Sequence, residues 1–288
     1  MKFDQLINKK FHILQRDKSL INNNKFIYDE IANRINQSID SLNIPMKNCL
    51  EIGNQNNIVE KFLISKFPDL NFFLSDISFK ILNESHSQFF KICFDNDHWP
   101  IRNNYFDLIV SNCYLHLSNN INLLFNNIYE SLKNNGFFIA TIPGKNTLQE
   151  LKDCMMKVDL DLYKGVYQRF SELKSIEEIK ILLEKNNFRI PVIDTDIIEL
   201  RYKKFSKLLS DIRYLGHSNI YEDRKKTFEM KNYFKRVEEY YWKKYSIDNK
   251  LNSKIEIIYI SGWKYHSSQQ KPLKPGKAKM LLKDGINN

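Results

Sequence analysis

Lys47-Asn48-Cys49-Leu50-Glu51-Ile52-Gly53, then a helical run from Ile58 to Phe67, then Phe72-Phe73-Leu74-Ser75-Asp76-Ile77, is the stretch that decides the fold. Two short apolar runs flank a segment of helical spacing, and each ends in an acid, Glu51 just before a glycine and Asp76. That order is a βαβ nucleotide-binding unit. In such units the ligand lies beyond the carboxyl ends of parallel strands, and an acid about twenty residues after the glycine turn can hold both ribose hydroxyls. Asp76 stands where that acid is needed.

The strand–helix alternation continues on both sides. Before the unit, Phe26, Ile27, Ile31, Ile35, Ile39 and Leu42 form one face of an amphipathic helix. After it, the pattern predicts a helix near Ser78 to Ser85 and a short strand at Phe90 to Phe94. A buried central strand follows at Tyr105 to Asn112, then a helix from Asn119 to Lys133 stopped by Asn134-Asn135-Gly136. Phe137 to Ile142 reads as the next strand, Ser175 to Lys185 as a helix, Arg189 to Leu200 as a strand and Ile255 to Ile260 as the last strand. The expected fold is a seven-stranded α/β sheet. From Tyr202 to Lys250 the periodicity is helical, with one stripe of Phe205, Leu208, Leu209, Ile212 and Leu215 and another from Phe228 to Tyr245 rich in tyrosine. This segment is an insertion that caps the sheet. The expected organisation is an N-terminal helical arm at 1–22, the α/β domain at 23–200, the cap at 201–250, and a last strand with a basic tail at 251–288.

At 288 residues and 42% hydrophobic content, the chain can bury a sizeable core. It contains no run of about eighteen apolar residues, and charged residues break the first twenty, which argues against a membrane span or signal peptide and for a cytoplasmic protein. Cys49, Cys93, Cys113 and Cys154 lack CxxC spacing, so buried free thiols are expected and no metal is implied. The net charge of +10 is unevenly placed. Residues 1–200 hold 23 Lys and Arg against 25 Asp and Glu, whereas residues 201–288 hold 21 against 9. The excess is either a solvated face or a docking surface for an acidic protein partner. No nucleic-acid recognition motif accompanies it.

The βαβ unit resembles the opening of class I S-adenosylmethionine (SAM) dependent methyltransferases, whose first strand ends in acid-x-Gly-x-Gly-x-Gly. Here the residues are Glu51-Ile52-Gly53-Asn54-Gln55-Asn56-Asn57, so only the first glycine is present and Gln55 brings a long side chain toward the ligand space. Beyond the fold, Gly262-Trp263-Lys264-Tyr265-His266-Ser267-Ser268-Gln269 resembles a methyltransferase-fold family that contains the mitochondrial complex I assembly factor described as an arginine hydroxylase. Further matches are Phe3-Asp4, Phe106-Asp107-Leu108, Leu115-His116, Thr147-Leu148 with Glu150-Leu151, Asp194-Thr195-Asp196, and Leu215-Gly216 with Ser218-Asn219. The malonyl-carrier-protein methyltransferase of biotin synthesis is a more distant resemblance. These resemblances imply SAM as cofactor, held by Glu51, Gly53, Gln55, Asp76, Ile77, Asp95 and Asn112, with Asp95 placed to accept from the adenine amino group. The alternative for Asp95 and Asp97 is turn chemistry. His116 is a candidate general base, although a histidine packed there for structural reasons is the commoner case. Three functions follow from the resemblance: a methyltransferase acting on a protein or carrier-bound acid, an arginine hydroxylase of a respiratory complex I subunit, or an assembly factor without chemistry. The acidic partner would be such a subunit or an acyl carrier protein.

Overall fold

The computed structural model describes residues 7–20, 25–42, 44–53, 56–85, 88–214 and 219–269. Phe3-Asp4, Gln55, Leu215-Gly216, Ser218 and the tail past Lys271 lie outside them. The elements in chain order are α1 (Lys9–Ser19), α2 (Phe26–Asp40), β1 (Asn48–Ile52), α3 (Ile58–Lys66), β2 (Asn71–Asp76), α4 (Phe79–Glu84), β3 (Phe90–Cys93) and β4 (Phe106–Asn112). Then follow α5 (Ile121–Ser131), β5 (Leu132–Pro143), α6 (Gln149–Tyr163), α7 (Ile176–Lys185), β6 (Arg189–Tyr202), α8 (Phe205–Tyr214), α9 (Tyr233–Tyr245), β7 (Ser246–Ile247) and β8 (Lys250–Trp263).

The strands form one sheet in the order β3-β2-β1-β4-β5-β8-β6, with short β7 paired to β8. β1 pairs in parallel with β2, Cys49 opposite Phe72 and Glu51 opposite Leu74, and with β4, Leu50 opposite Ile109. The sheet reverses direction at β8, which runs antiparallel to both β5 and β6. Because β1 and β4 are covered on both faces, they are apolar in consecutive positions. Cys49, Leu108 and Val110 face α2 and α3, while Leu50, Ile52 and Ile109 face α5 and α7. Asp107 fixes the entry to this core: its carboxylate accepts from the amides of Lys47 (3.1 Å) and Asn48 (2.9 Å) and binds the Lys133 ammonium.

A third apolar cluster joins Cys154, Met155 and Val158 of α6 to Phe205, Leu208, Tyr233, Val237 and Tyr241 of α8 and α9. Tyr233, Val237 and Tyr241 of the α9 stripe are therefore core, whereas Phe234 of the same stripe is 38% exposed. Phe228 departs from the expected stripe: it precedes the helix and is fully exposed. The last strand is also longer than its apolar run, because polar residues at alternate positions of β8 face solvent while Leu251, Ser253 and Ile257 stay buried. All four cysteines are free, but Cys93 is exposed on the edge strand β3 rather than buried. No helix among the described residues is long and apolar enough to cross a membrane.

Candidate functional site

The carboxyl ends of β1, β2 and β4 converge as the sequence implies, and each residue expected there can be followed individually. Glu51, Gly53, Asp76, Ile77 and Asn112 lie at this edge and are buried, while Asp95 follows β3. Gly53 has φ +78°, the left-handed region that favours glycine, and its N–H donates to the Ser75 carbonyl (2.8 Å).

What the sequence does not reveal is that other parts of the chain fill the space in front of these residues. A Cβ placed on Gly53 would meet Cγ of the Tyr114 ring at 2.1 Å. The Tyr114 Oη accepts from the Ile77 amide at 3.2 Å. Asp76 is 1% exposed and holds the equally buried Arg16 of α1, with Nη2 to Oδ2 at 2.5 Å. Burial works against the Arg16 charge, but Asp76 holds its pKa above the ordinary value. Asn112 uses its amide in packing, donating to the Tyr28 carbonyl (3.1 Å) and accepting from the Thr141 hydroxyl (3.3 Å). Asp95 pairs with Lys9 (2.7 Å) and accepts from the Asp97 amide, and Asp97 accepts from Ser118 and the Asn119 amide. The turn chemistry of both aspartates is thus present. The edge offers carboxylates of the kind an adenosyl cofactor needs, but as folded the Asp76 oxygens hold a guanidinium and a phenol ring lies against Gly53.

Glu51 stands apart. Both of its carboxylate oxygens are buried without a hydrogen-bond partner among the described residues, and the same is true of Glu60 in the first turn of α3. Burial, with Glu60 and then Asp76 nearby, pushes Glu51 well above the carboxylate range, and burial pushes Glu60 up to about 7. A carboxyl whose pKa rises on folding binds more protons folded than unfolded, so stability is lost as pH rises from about 4.5 through about 7. Glu60→Gln is expected to remove that loss, raising stability at pH 8 by about 1–2 kcal/mol relative to the native chain and leaving pH 4 unchanged. Urea unfolding at the two pH values measures it.

A cavity of about 260 Å³ lies one strand further along, where β4 and β5 end beneath the cap. Its apolar wall includes Ile27, Leu148, Leu151, Met155, Phe170 and Ile257. Lys145, Lys152, Arg169 and Arg213 supply positive charge, and no acidic side chain is among the described lining residues. Cys113 and Leu148, both on this wall, have left-handed backbones (φ +49° and +54°), a strain that concentrates at functional sites. Burial pushes the Cys113 thiol up to about 12, which keeps it protonated and unsuited to act as a nucleophile. His116, in the 3₁₀ turn Leu115–Leu117, also lines the cavity. Nothing in the sequence placed Leu148, Leu151 and Met155 against Lys145, Arg169 and Arg213.

Residues 50–140 match the family model described as a methyltransferase domain. The chain is 28% identical over 276 residues to the arginine-hydroxylase NDUFAF5, mitochondrial, of Dictyostelium discoideum, covering 88% of this chain and 63% of that protein. It therefore spans less than two thirds of that relative's own length. The Danio rerio protein of the same name is 26% identical, over 98% of this chain and 88% of its own. The malonyl-[acyl-carrier protein] O-methyltransferase of Legionella pneumophila is 22% identical, over 83% and 84%. Among solved structures, the YcgJ protein of Bacillus subtilis superposes with a TM-score of 0.54 at 12% identity, covering 80% of this chain and 97% of that one. Residues 50–140 thus match a methyltransferase domain within a mixed α/β fold of the class I methyltransferase type, and the chain is similar over most of its length to the NDUFAF5 arginine-hydroxylases and, more distantly, to the malonyl-[acyl-carrier protein] O-methyltransferases.

Proposed function

We propose that the chain is a SAM-dependent methyltransferase-like enzyme acting on a protein-bound or carrier-bound acid. The observation that carries this reading is the cavity beneath the cap: apolar walls with four cationic side chains and no acidic one among the described lining residues. An apolar enclosure with positive charge favours a ligand with an apolar body and an anionic end, and it repels a guanidinium. Lys145, Lys152 and Arg213 are the groups that would receive the anion, because Arg169 is already committed to Asp159 and Glu229. Incubating the protein with methyl-labelled SAM and malonyl-acyl carrier protein tests the reading, with label on the carrier as the expected result. Lys145→Glu with Lys152→Glu is expected to raise KM for the carrier by about tenfold or more, with a smaller effect on kcat. Absence of label from every acid-bearing carrier tried would remove the reading.

The second reading, an arginine hydroxylase of a respiratory complex I subunit or an assembly factor without chemistry, draws on the names of the NDUFAF5 relatives and on the cleft filled by Arg16 and Tyr114. A gain of one oxygen on an arginine peptide in mass spectra would favour the hydroxylase. Either reading includes an acidic protein partner for the basic C-terminal region, whose exposed lysines include Lys203, Lys204, Lys235 and Lys243. Reversing these four charges is expected to slow association with an acyl carrier protein and flatten its salt dependence, leaving stability within about 0.5 kcal/mol. Unchanged association rates would make the excess charge a solvated face only.

A further inference from the structure

We propose that α1 and Tyr114 latch the cofactor cleft shut, so that the cleft opens only when Arg16 leaves Asp76. The inference rests on the methyltransferase reading for the identity of the incoming ligand, but the closure itself stands on the contacts. Asp76 is the carboxylate placed to accept from two ribose hydroxyls. The guanidinium presents it with a matching pair of donors, Nη2 to Oδ2 at 2.5 Å and Nε to Oδ1 at 3.5 Å. Oδ1 also accepts from the Ser78 amide (2.8 Å), so with Arg16 in place little of this carboxylate is left for a ribose.

The latch has a second layer. The Arg16 guanidinium lies 5.1 Å from the centroid of the Tyr114 ring, within cation–π range, and that ring in turn covers Gly53. Tyr114 also ties up the Ile77 amide, the backbone donor next to Asp76. Withdrawal of Arg16 would remove both the guanidinium and one of the contacts that keep the ring in place.

The character of α1 makes withdrawal feasible. The side chains this helix buries are His12, Gln15, Arg16 and Ser19, all polar. Its apolar attachment is confined to Phe11, which packs against the core next to buried Ile7, so the rest of the helix depends on specific polar contacts. At one end Lys9 pairs with Asp95 and Asp97, and the Asn8 amide donates to the Ile220 carbonyl (2.8 Å) while its side chain donates to Glu222 (2.6 Å). At the other end the Ser78 hydroxyl donates to Asp17 (2.5 Å). α1 is thus strapped between the sheet edge and the segment after α8, so a partner or substrate that moves the cap region at Ile220–Glu222 would pull on the latch. A buried ion pair of this kind is strong against loss of one partner and weak against replacement of both.

The test uses the full chain and two readouts. Amide hydrogen exchange of α1 and calorimetric titration with SAM are compared for the native protein, Arg16→Ala, Tyr114→Ser and, as a control on the exposed side of α1, Lys10→Ala. Exchange across Lys9–Ser19 is expected to speed up at least tenfold in Arg16→Ala. SAM is expected to bind at least tenfold more tightly to Arg16→Ala and Tyr114→Ser than to the native chain, with Lys10→Ala matching the native chain in both readouts. Arg16→Met, which keeps the aliphatic stem, replaces the alanine variant if circular dichroism shows that the latter has lost helix. Native protein that binds SAM as tightly as the variants, or α1 exchange unaltered by loss of Arg16, overturns the latch. Released α1 with no SAM binding by any variant supports the closure and removes the SAM-dependent reading.

Discussion

Arg169→Met is expected to destabilise the protein by about 3–5 kcal/mol, because it leaves the fully buried Asp159 charge without its partner. Arg169 grips Asp159 with two parallel donors, Nε at 2.8 Å and Nη2 at 2.6 Å, and reaches Glu229 with Nη1 at 2.8 Å. Its guanidinium also lies 4.4 Å from the Tyr233 ring centroid, so one side chain joins α6, the loop that follows it and α9. Asp159 accepts from the Tyr167 amide as well, which fixes that loop where it supplies Arg169 and Phe170 to the cavity. Loss of Arg169 would therefore loosen the cap and the cavity wall together. Asp159→Asn in the same chain removes the orphaned charge, so the double variant is expected to recover about 1–3 kcal/mol of the loss in urea unfolding. Strictly additive single effects would show that the pair is not coupled. Glu229 adds a pH signature: burial opposes its charge, but hydrogen bonds from Arg169, Lys225 and Tyr163 bring its pKa down to about 2. Its contribution is present above the ordinary carboxyl value of 4.5 and is lost as pH falls toward about 2.

The second large effect is expected at Gly53. Gly53→Ala carries two costs, a left-handed backbone at φ +78° and a methyl group 2.1 Å from Cγ of Tyr114, for a combined loss of about 2–5 kcal/mol. The two costs are separable. Tyr114→Ala opens the space but leaves φ unchanged, so in the double variant the steric part should vanish and the sum of the single effects should exceed the double by about 1–3 kcal/mol. A coupling near zero would mean that the ring moves aside without cost. It would also weaken the case that Tyr114 is a fixed wall of the cleft.

The layered sheet was legible in the sequence because its signals are local. Cys49-Leu50 and Leu108-Ile109-Val110 are apolar in consecutive positions, as strands covered on both faces are. Ile27, Ile31, Ile35 and Ile39 recur at helical spacing and are all buried in the structure. The same locality gave the edge at which Glu51, Asp76 and Asn112 meet, since parallel strands joined by helices place their carboxyl ends together. The aromatic stripe of α9 announced a core for the same reason.

Local signals do not carry pairings between distant polar residues, and those decided the site. Arg16 meets Asp76 across 60 positions and Tyr163 meets Glu229 across 66. An arginine in a polar helix looks solvated in sequence, because nothing in its periodicity says that a buried carboxylate will take it up. Tyr114 likewise carries no local sign of its contact, and the turn that follows Asn112 aims its ring at Gly53. The sequence by itself determined the sheet, the helices that cover it and the edge where the carboxyl ends of the strands meet, because burial patterns repeat with the period of each element. Only the tertiary structure decided that this edge is filled by the chain's own guanidinium and phenol and that the open, cationic cavity lies under the cap. Charge pairing and steric filling depend on which side chains share a volume, and the order of residues along the chain does not specify that.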